Sequence, residues 1–182
     1  MKLAQRLMPL LNTDILQKIK NIVSATVVRN GSEIGITSNS TNAMIRFDNK
    51  AAKADFIAEF EIYLSAMGTS RNTGFVYRTT AWGAQGYAYL LGLHESMILF
   101  GVQDNQGGAS SAWYDKGSYT HGLTAGQWVK FKVVALGTSH KIYINDVLKI
   151  DITDNSYTAP GQFGINVFGY EYQQKYRNIT IN

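Results

Sequence analysis

The chain reads as an all-β sandwich preceded by a short helical segment. Three observations predict this. From Ser24 onward apolar residues alternate with polar ones in about a dozen short runs. Turn signals rich in Gly, Asn and Asp separate those runs at the spacing of a sandwich. The composition agrees, with 17 glycines, 11 tyrosines and only 16% charged residues in 182 positions. That length gives one domain with an appendage: residues 1–23 as the helical extension and 24–182 as the sandwich.

The extension comes first. Leu3, Leu7, Leu10 or Leu11, Ile15, Ile19 and Ile22 recur at spacings of three and four, the pattern of an amphipathic helix. Pro9 breaks it or starts a second helix, with Asn12 or Thr13 as the N-cap. Two readings stay open. The helix packs on its own domain, or it is an oligomerising or docking element for a larger assembly. It is too short for an independent coiled coil.

The strands follow. Ala25–Val28 and Ile34–Thr37 flank Arg29-Asn30-Gly31-Ser32, where Asn-Gly signals a hairpin because both residues accept positive φ. Ala43–Phe47 is a third short strand. In 55–64, Phe56, Ala58, Phe60, Ile62 and Leu64 share the core face, while Glu59 and Glu61 share the other. The segment 72–93 gives two strands and a loop. Phe75 and Tyr77 take the core face of the first, which puts Arg78 with Val76 on the opposite face. Further strands fall near Tyr87, Ile98 and Trp113. Val129, Phe131, Val133 and Ala135 point inward from 128–135; Gly137-Thr138-Ser139-His140 turns the chain. Lys141–Ile144, an Asn145-Asp146 turn and Val147–Ile152 come next. Phe163, Ile165 and Val167 then line one face with Asn166 opposite, and Tyr176–Ile181 closes the chain.

Several function classes are excluded. The net charge of +4 is spread too thinly for a nucleic-acid interface. With no cysteine there is neither a disulfide nor a thiolate metal site. No apolar run approaches the ~20 residues of a membrane-spanning helix. Leu7-Met8-Pro9-Leu10-Leu11 is too short for a signal peptide and runs into Asn12-Thr13-Asp14. His94, His121 and His140 are scattered, so no element carries a paired metal-ligand spacing.

The candidate site collects Glu59, Glu61, Arg78, Trp82, Tyr87, Tyr89, Trp113 and Asn166. Glu59 and Glu61 share a face roughly 6–7 Å apart. That separation suits a pair of glycosidase carboxylates, and equally a ligand-binding pair or a solvated face. A planar guanidinium in a sheet needs a carboxylate or a ligand. Pairing of Arg78 with Glu61 or Glu59 would clamp sugar hydroxyls or merely hold the sheet. Trp82, Trp113, Tyr87, Tyr89 and Tyr170 fall at loops and strand ends, where aromatic faces stack on sugar rings or form a rim.

Taken in order, these segments resemble the concanavalin A-like lectin/glucanase superfamily. The carriers are Phe56-x-Ala-Glu-Phe-Glu-Ile, Asn72-Thr-Gly-Phe-Val-Tyr-Arg78, Gly86-Tyr-Ala-Tyr-Leu-Leu, Gly126-Gln-Trp-Val-Lys-Phe-Lys-Val, Lys141-Ile-Tyr-Ile-Asn-Asp and Gly161-Gln-Phe-Gly-Ile-Asn with Tyr176-Arg-Asn-Ile-Thr-Ile. The nearest resemblance is to levan-binding-type carbohydrate-binding modules and 3-keto-disaccharide hydrolase-like domains. It implies a jelly-roll sandwich of two curved antiparallel sheets with a saccharide on the concave one, faced by the Glu-Phe-Glu glutamate, Arg78, Tyr87 and Tyr89. The glucanase pattern Glu-x-Asp-x-x-Glu is not kept, because Tyr63 stands two residues after Glu61. The resemblance therefore implies a non-catalytic module with no obligatory cofactor. Calcium occurs in relatives, and Asp104, Asp151 and Asp154 offer oxygens without loop spacing. The expected partner is a cell-surface or cell-wall saccharide, and the expected place is extracellular or on a virion, such as a phage tail that recognises a host. A glycosidase using Glu59 and Glu61 is one alternative. A protein-interaction sandwich is another, and it predicts an occluded Arg78 face.

Overall fold

A computed structural model describes residues 19–48, 50–65, 72–80, 87–104, 112–169 and 173–182. Fourteen strands lie among them. They are β1 (Ile19–Val23), β2 (Ala25–Asn30), β3 (Glu33–Ser38), β4 (Asn42–Phe47), β5 (Phe56–Tyr63), β6 (Asn72–Thr79) and β7 (Tyr87–Leu93). Then come β8 (Met97–Asp104), β9 (Ala112–Thr120), β10 (Trp128–Leu136), β11 (Ser139–Ile144), β12 (Val147–Thr153), β13 (Gln162–Phe168) and β14 (Gln173–Ile181).

The strands form two seven-stranded sheets. The first runs β1-β4-β13-β6-β7-β8-β9 and the second β12-β11-β10-β5-β14-β3-β2. Neighbours in both are antiparallel. The sandwich expected from the alternation is therefore what forms, with jelly-roll-like crossovers between the layers.

Period-two patterning decides the inner faces. Phe56, Phe60, Phe131 and Ile142 point in from the second sheet; Phe75, Tyr77, Leu91, Phe100 and Phe163 point in from the first, and all are buried. Phe60 stacks on Phe131 at 5.7 Å, and Phe56 meets Phe163 edge-on at 4.9 Å. Each such ring contributes about 1.5–3 kcal/mol by burial, so this layer dominates the stability of the fold.

The hairpins follow local backbone chemistry. At β2–β3 the two-residue loop is Gly31-Ser32, since Asn30 pairs with Glu33. Gly31 alone takes positive φ (60°), which makes a type II′ turn one residue later than the Asn-Gly reading placed it. Asn145 and Asp146, at φ 47° and 65°, make the type I′ turn between β11 and β12.

Two departures from the sequence reading matter. The helical periodicity ran to Ile22, but residues 19–23 form β1 and pair with β4 at the edge of the first sheet. The remainder of that stretch, 3–18, lies outside the described residues. The second departure is at Arg78. Between β6 and β13 the register slips, so Val76 to Thr79 opposes Gly164 to Gln162. β6 carries one extra residue there, a bulge, and Arg78 has φ 51°. Gly161 makes room for it: a Cβ at 161 would lie 2.5 Å from the Arg78 Cα.

Candidate functional site

The bulge removes Arg78 from the face that simple alternation gave it. Its side chain is fully buried. Nε donates to the Ala54 carbonyl at 2.8 Å, Nη1 to that of Tyr157 at 2.9 Å and Nη2 to that of Gly137 at 2.8 Å. The fork thus ties three connecting segments together at one end of the sandwich. Neither Glu59 nor Glu61 reaches it. The nearest carboxylate is exposed Asp55 at 3.8 Å. The expectation that Arg78 faces a ligand is corrected. An occluded Arg78 is what a sandwich with no site at that residue predicts.

Tyr89 is corrected too. It is buried in the core, stacked on Tyr77 at 5.2 Å and Phe100 at 5.6 Å. Its hydroxyl donates to Asp154 Oδ1 at 2.5 Å. Burial, reinforced by that bond, pushes the Tyr89 phenol well above its ordinary pKa. Burial alone would raise the Asp154 carboxyl, but hydrogen bonds from Lys116, Tyr89 and Ser156 outweigh it and hold the group well below the usual range. Nearby, the Tyr77 hydroxyl pairs with His140 Nδ1 at 2.7 Å. Burial and the adjacent Arg78 charge lower the His140 pKa to about 4.

Glu59 and Glu61 project from the outer face of the second sheet. Glu61 takes Arg177 Nε and Nη2 at 2.6 Å each, and Asn178 Nδ2 at 2.9 Å. The arginine that pairs with Glu61 is therefore Arg177, not Arg78. Glu59 lies 3.7 Å from Lys130. Around them Arg177 covers the Trp128 ring at 4.2 Å and Lys132 covers Tyr143 at 4.3 Å. This is a solvated face whose charges pair with one another.

Two of the calcium candidates, Asp151 and Asp154, are engaged by lysines. Asp151 pairs with Lys141 at 3.2 Å, and Asp154 pairs with Lys116 at 2.7 Å. Among the described residues no acidic or histidine cluster suits a metal. Trp82 and Tyr170 lie outside the described residues. Tyr87 is placed only by its backbone, at the start of β7 opposite Asp104.

A groove lies instead on the outer face of the first sheet. It has a volume of about 280 Å³, at the small end for ligand clefts. Its lining includes Asn42, Asn72, His94, Gln103, Trp113 and Asn166, of which sequence reasoning named only Trp113 and Asn166. Strand register explains the hollow. Asn166 pairs with Gly74, Gly74 with Gly92, and Gly92 with Leu99. Two adjacent strands thus carry glycine at facing outward positions; the Leu90 side chain folds over Gly74, and Gly92 forms the floor of the groove beside it. A Cβ on Gly92 would meet the His94 ring, Nε2 at 3.3 Å and Cδ2 at 3.7 Å, and the Leu99 carbonyl at 3.8 Å.

One strand further on, Gly101 performs a related task. A Cβ there would lie 2.6 Å from Trp113 Cζ2, so the six-membered ring of the indole rests directly on the glycine. Trp113 keeps 38% of its surface exposed. The result is an aromatic platform on the sheet. At the other end Asn166 Nδ2 donates to Asn42 Oδ1 at 2.5 Å and to the Ala43 carbonyl at 3.4 Å. His94 lines the groove half-buried, and burial lowers its pKa below the ordinary 6.5, which keeps it neutral at neutral pH. Its carbonyl accepts from His121 Nε2 at 3.0 Å. The described lining is thus amide, aromatic, aliphatic and neutral imidazole, with no carboxylate among the described residues. Such a set hydrogen-bonds neutral hydroxyls and stacks on apolar faces.

Comparison with solved structures places the fold. Carbohydrate-binding module CBM66 from Bacillus subtilis superposes with a TM-score of 0.72 at 21% identity, over 90% of this chain and 94% of that one. A Bacillus subtilis protein of unknown function with a galectin-like fold gives 0.71 at 8% identity, over 94% and 91%. A Parabacteroides distasonis protein described as a candidate glycosyl hydrolase gives 0.61 at 13% identity, over 96% and 92%. No curated protein matches the sequence. The model of the 3-keto-alpha-glucoside-1,2-lyase-like domain family matches residues 10–182, nearly the whole chain. The chain belongs to the 3-keto-alpha-glucoside-1,2-lyase-like domain family.

Proposed function

We propose that this groove binds a saccharide and that the domain is a non-catalytic binding module. The observation that carries the reading is the indole of Trp113 laid on Gly101, beside a glycine floor rimmed by Asn42, Asn72, Asn166 and Gln103. An exposed aromatic plane next to uncharged amides is matched to the alternating apolar and hydroxylated faces of a sugar. The fold shared with a carbohydrate-binding module supports it. The alternative of hydrolysis by Glu59 and Glu61 meets carboxylates already engaged: Glu61 accepts from Arg177 and Asn178, and Glu59 lies 3.7 Å from Lys130. Each sugar contact replaces a water contact, so affinity falls in the roughly μM–mM range. The test is a glycan array with wild-type protein, Trp113→Ala and Asn166→Ala. Binding by the wild type and loss of at least tenfold in both variants is expected. A wild type that holds no glycan, or variants that bind unchanged, overturns the site.

The reading extends to an extracellular or virion-borne protein displayed in several copies, supported by the amphipathic spacing that precedes β1, in residues 3–18. Multiple copies would raise the avidity of a weak site. Light scattering that finds only monomer removes this part.

A second reading is favoured by His94 and the family description. On a 3-keto glucoside, a neutral imidazole removes the C2 proton, which the C3 ketone makes acidic. The electron pair forms the C1=C2 bond as C1–O breaks, and the leaving oxygen recovers the proton. His94 is the one titratable group among the described lining residues. Enone absorbance from a 3-keto glucoside, abolished by His94→Ala, supports elimination; its absence with bound substrate leaves the binding module.

A further inference from the structure

We infer that the groove takes a chain of at least two sugar units laid across the strands, rather than a single terminal sugar. This rests on the saccharide reading and concerns the extent of the same site. The argument begins at the polar end. The Ala43 carbonyl can only accept, so its contact fixes the nitrogen side of the Asn166 amide. That nitrogen also donates to Asn42 Oδ1. The pair therefore leaves the Asn42 amide N–H groups as donors and the Asn166 side-chain carbonyl oxygen as acceptor. A hydroxyl pair on one sugar satisfies both.

The stacking end lies elsewhere. Asn166 is in register with Leu99 through Gly74 and Gly92, three strand steps from β13 to β8. Gly101, which carries the indole, stands two residues beyond Leu99. At ~4.8 Å between strands and ~3.4 Å per residue, the two ends are roughly 16 Å apart. One pyranose ring, with a hydrogen bond on one side and a stacking contact on the other, reaches roughly 10 Å. A single unit cannot engage both ends. Between them the groove continues over Leu90, Gly92, His94 and Leu99, with the Leu90 side chain lying over Gly74, and this stretch is where a second unit would rest. The chain direction is then across the strands, from the asparagine pair on β4 and β13 to the indole over β8.

The test is calorimetric titration of the full chain with mono-, di-, tri- and tetrasaccharides of four neutral series: β-fructan, β-1,3-glucan, β-1,4-glucan and α-1,4-glucan. Expected is a gain of at least tenfold from monosaccharide to trisaccharide in the series that binds. Trp113→Ala should bring the trisaccharide to within threefold of the monosaccharide, and Asn166→Ala should weaken every length together. Thermal melting of both variants within a few degrees of wild type ties the losses to the site. Equal wild-type affinity at every length overturns the inference and keeps the saccharide reading. So does a Trp113→Ala loss that is equal for monosaccharide and trisaccharide. No binding at any length in any series overturns both.

Discussion

Arg78→Ala should unfold the domain rather than merely empty a ligand site. The guanidinium makes three hydrogen bonds of 2.8–2.9 Å, all to backbone carbonyls of connecting segments. Bonds from a charged donor are worth about 1.5–3 kcal/mol each. Even the lower figure for all three gives a loss of about 4–5 kcal/mol, comparable to the whole stability of a modest domain. The cost arises because the Ala54, Gly137 and Tyr157 carbonyls lose their donor, while the alanine leaves a hole beside Tyr89, whose ring lies 5.9 Å from the guanidinium carbon. Arg78→Lys keeps the charge but replaces a planar fork with one ammonium, so an intermediate loss is expected. Urea denaturation followed by tryptophan fluorescence reads the effect as a shift in midpoint at constant slope. A variant that loses less than about 1 kcal/mol yet stops binding saccharide would refute the reasoning, because Arg78 would then be touching ligand.

Three further predictions follow from the same geometry. Gly92→Ala places a methyl on the groove floor against only His94 and a carbonyl; it should keep or slightly raise the melting temperature and weaken saccharide binding several-fold, and unchanged affinity would mean the floor is not the site. His140 ordinarily titrates at 6.5 but is held at about 4 in the fold, so the unfolded chain gains a proton first as pH falls; stability should be flat above pH 7 and drop by about 3 kcal/mol between 6.5 and 4. His94, lowered in the same direction, adds to that slope, and a pH series of melts on wild type and His140→Gln should show the larger part vanish in the variant. Glu61→Gln breaks a part-exposed pair with Arg177; it should cost about 0.5–1 kcal/mol and leave groove binding unchanged, whereas lost binding would return the site to the second sheet.

The strands were legible because side-chain alternation has a fixed period and the buried face punishes any slip. Phe56, Phe60, Phe75, Tyr77 and Phe131 were placed inward from sequence and are inward. Arg78 was misplaced for the complementary reason. Alternation fails at a bulge, and nothing about an arginine announces positive φ. Tyr89 had a usable signal that was not weighed. It shares parity with Leu91 and Leu93, which are core, so the face it occupies had to be inward. The groove also left a trace. Gly74, Gly92 and Gly101 all fall at outward parity, since Phe75, Leu91 and Phe100 beside them point inward. Which strands lie side by side is not written in the sequence pattern, so the row across β6, β7 and β8 appears only with the register. At 19–23 the spacing Ile19, Ile22 fits one helical turn, but pairing along β4 supplies backbone partners that the periodicity could not foresee.

The two outer faces differ in their residue types and in how those residues are spent. On the second sheet Glu61 is spent on Arg177 and Asn178, Arg177 on Trp128, and Lys130 on Asp146 and Glu59. A ligand arriving there must break an existing pair for each contact it makes, so little net free energy is gained. On the first sheet Asn166 spends its amide nitrogen on Asn42 and Ala43, while the Asn42 N–H groups and the Asn166 side-chain oxygen remain to bond a ligand. Trp113 sets the Cζ2–Cη2 side of its indole over Gly101 and keeps 38% of its surface exposed. The glycines let the Leu90, His94 and Trp113 side chains lie low on the sheet, where they line the groove. That unspent bonding capacity is the reason the proposed saccharide site lies on the first sheet, although the sequence offers its most conspicuous charged pair, Glu59 and Glu61, on the second.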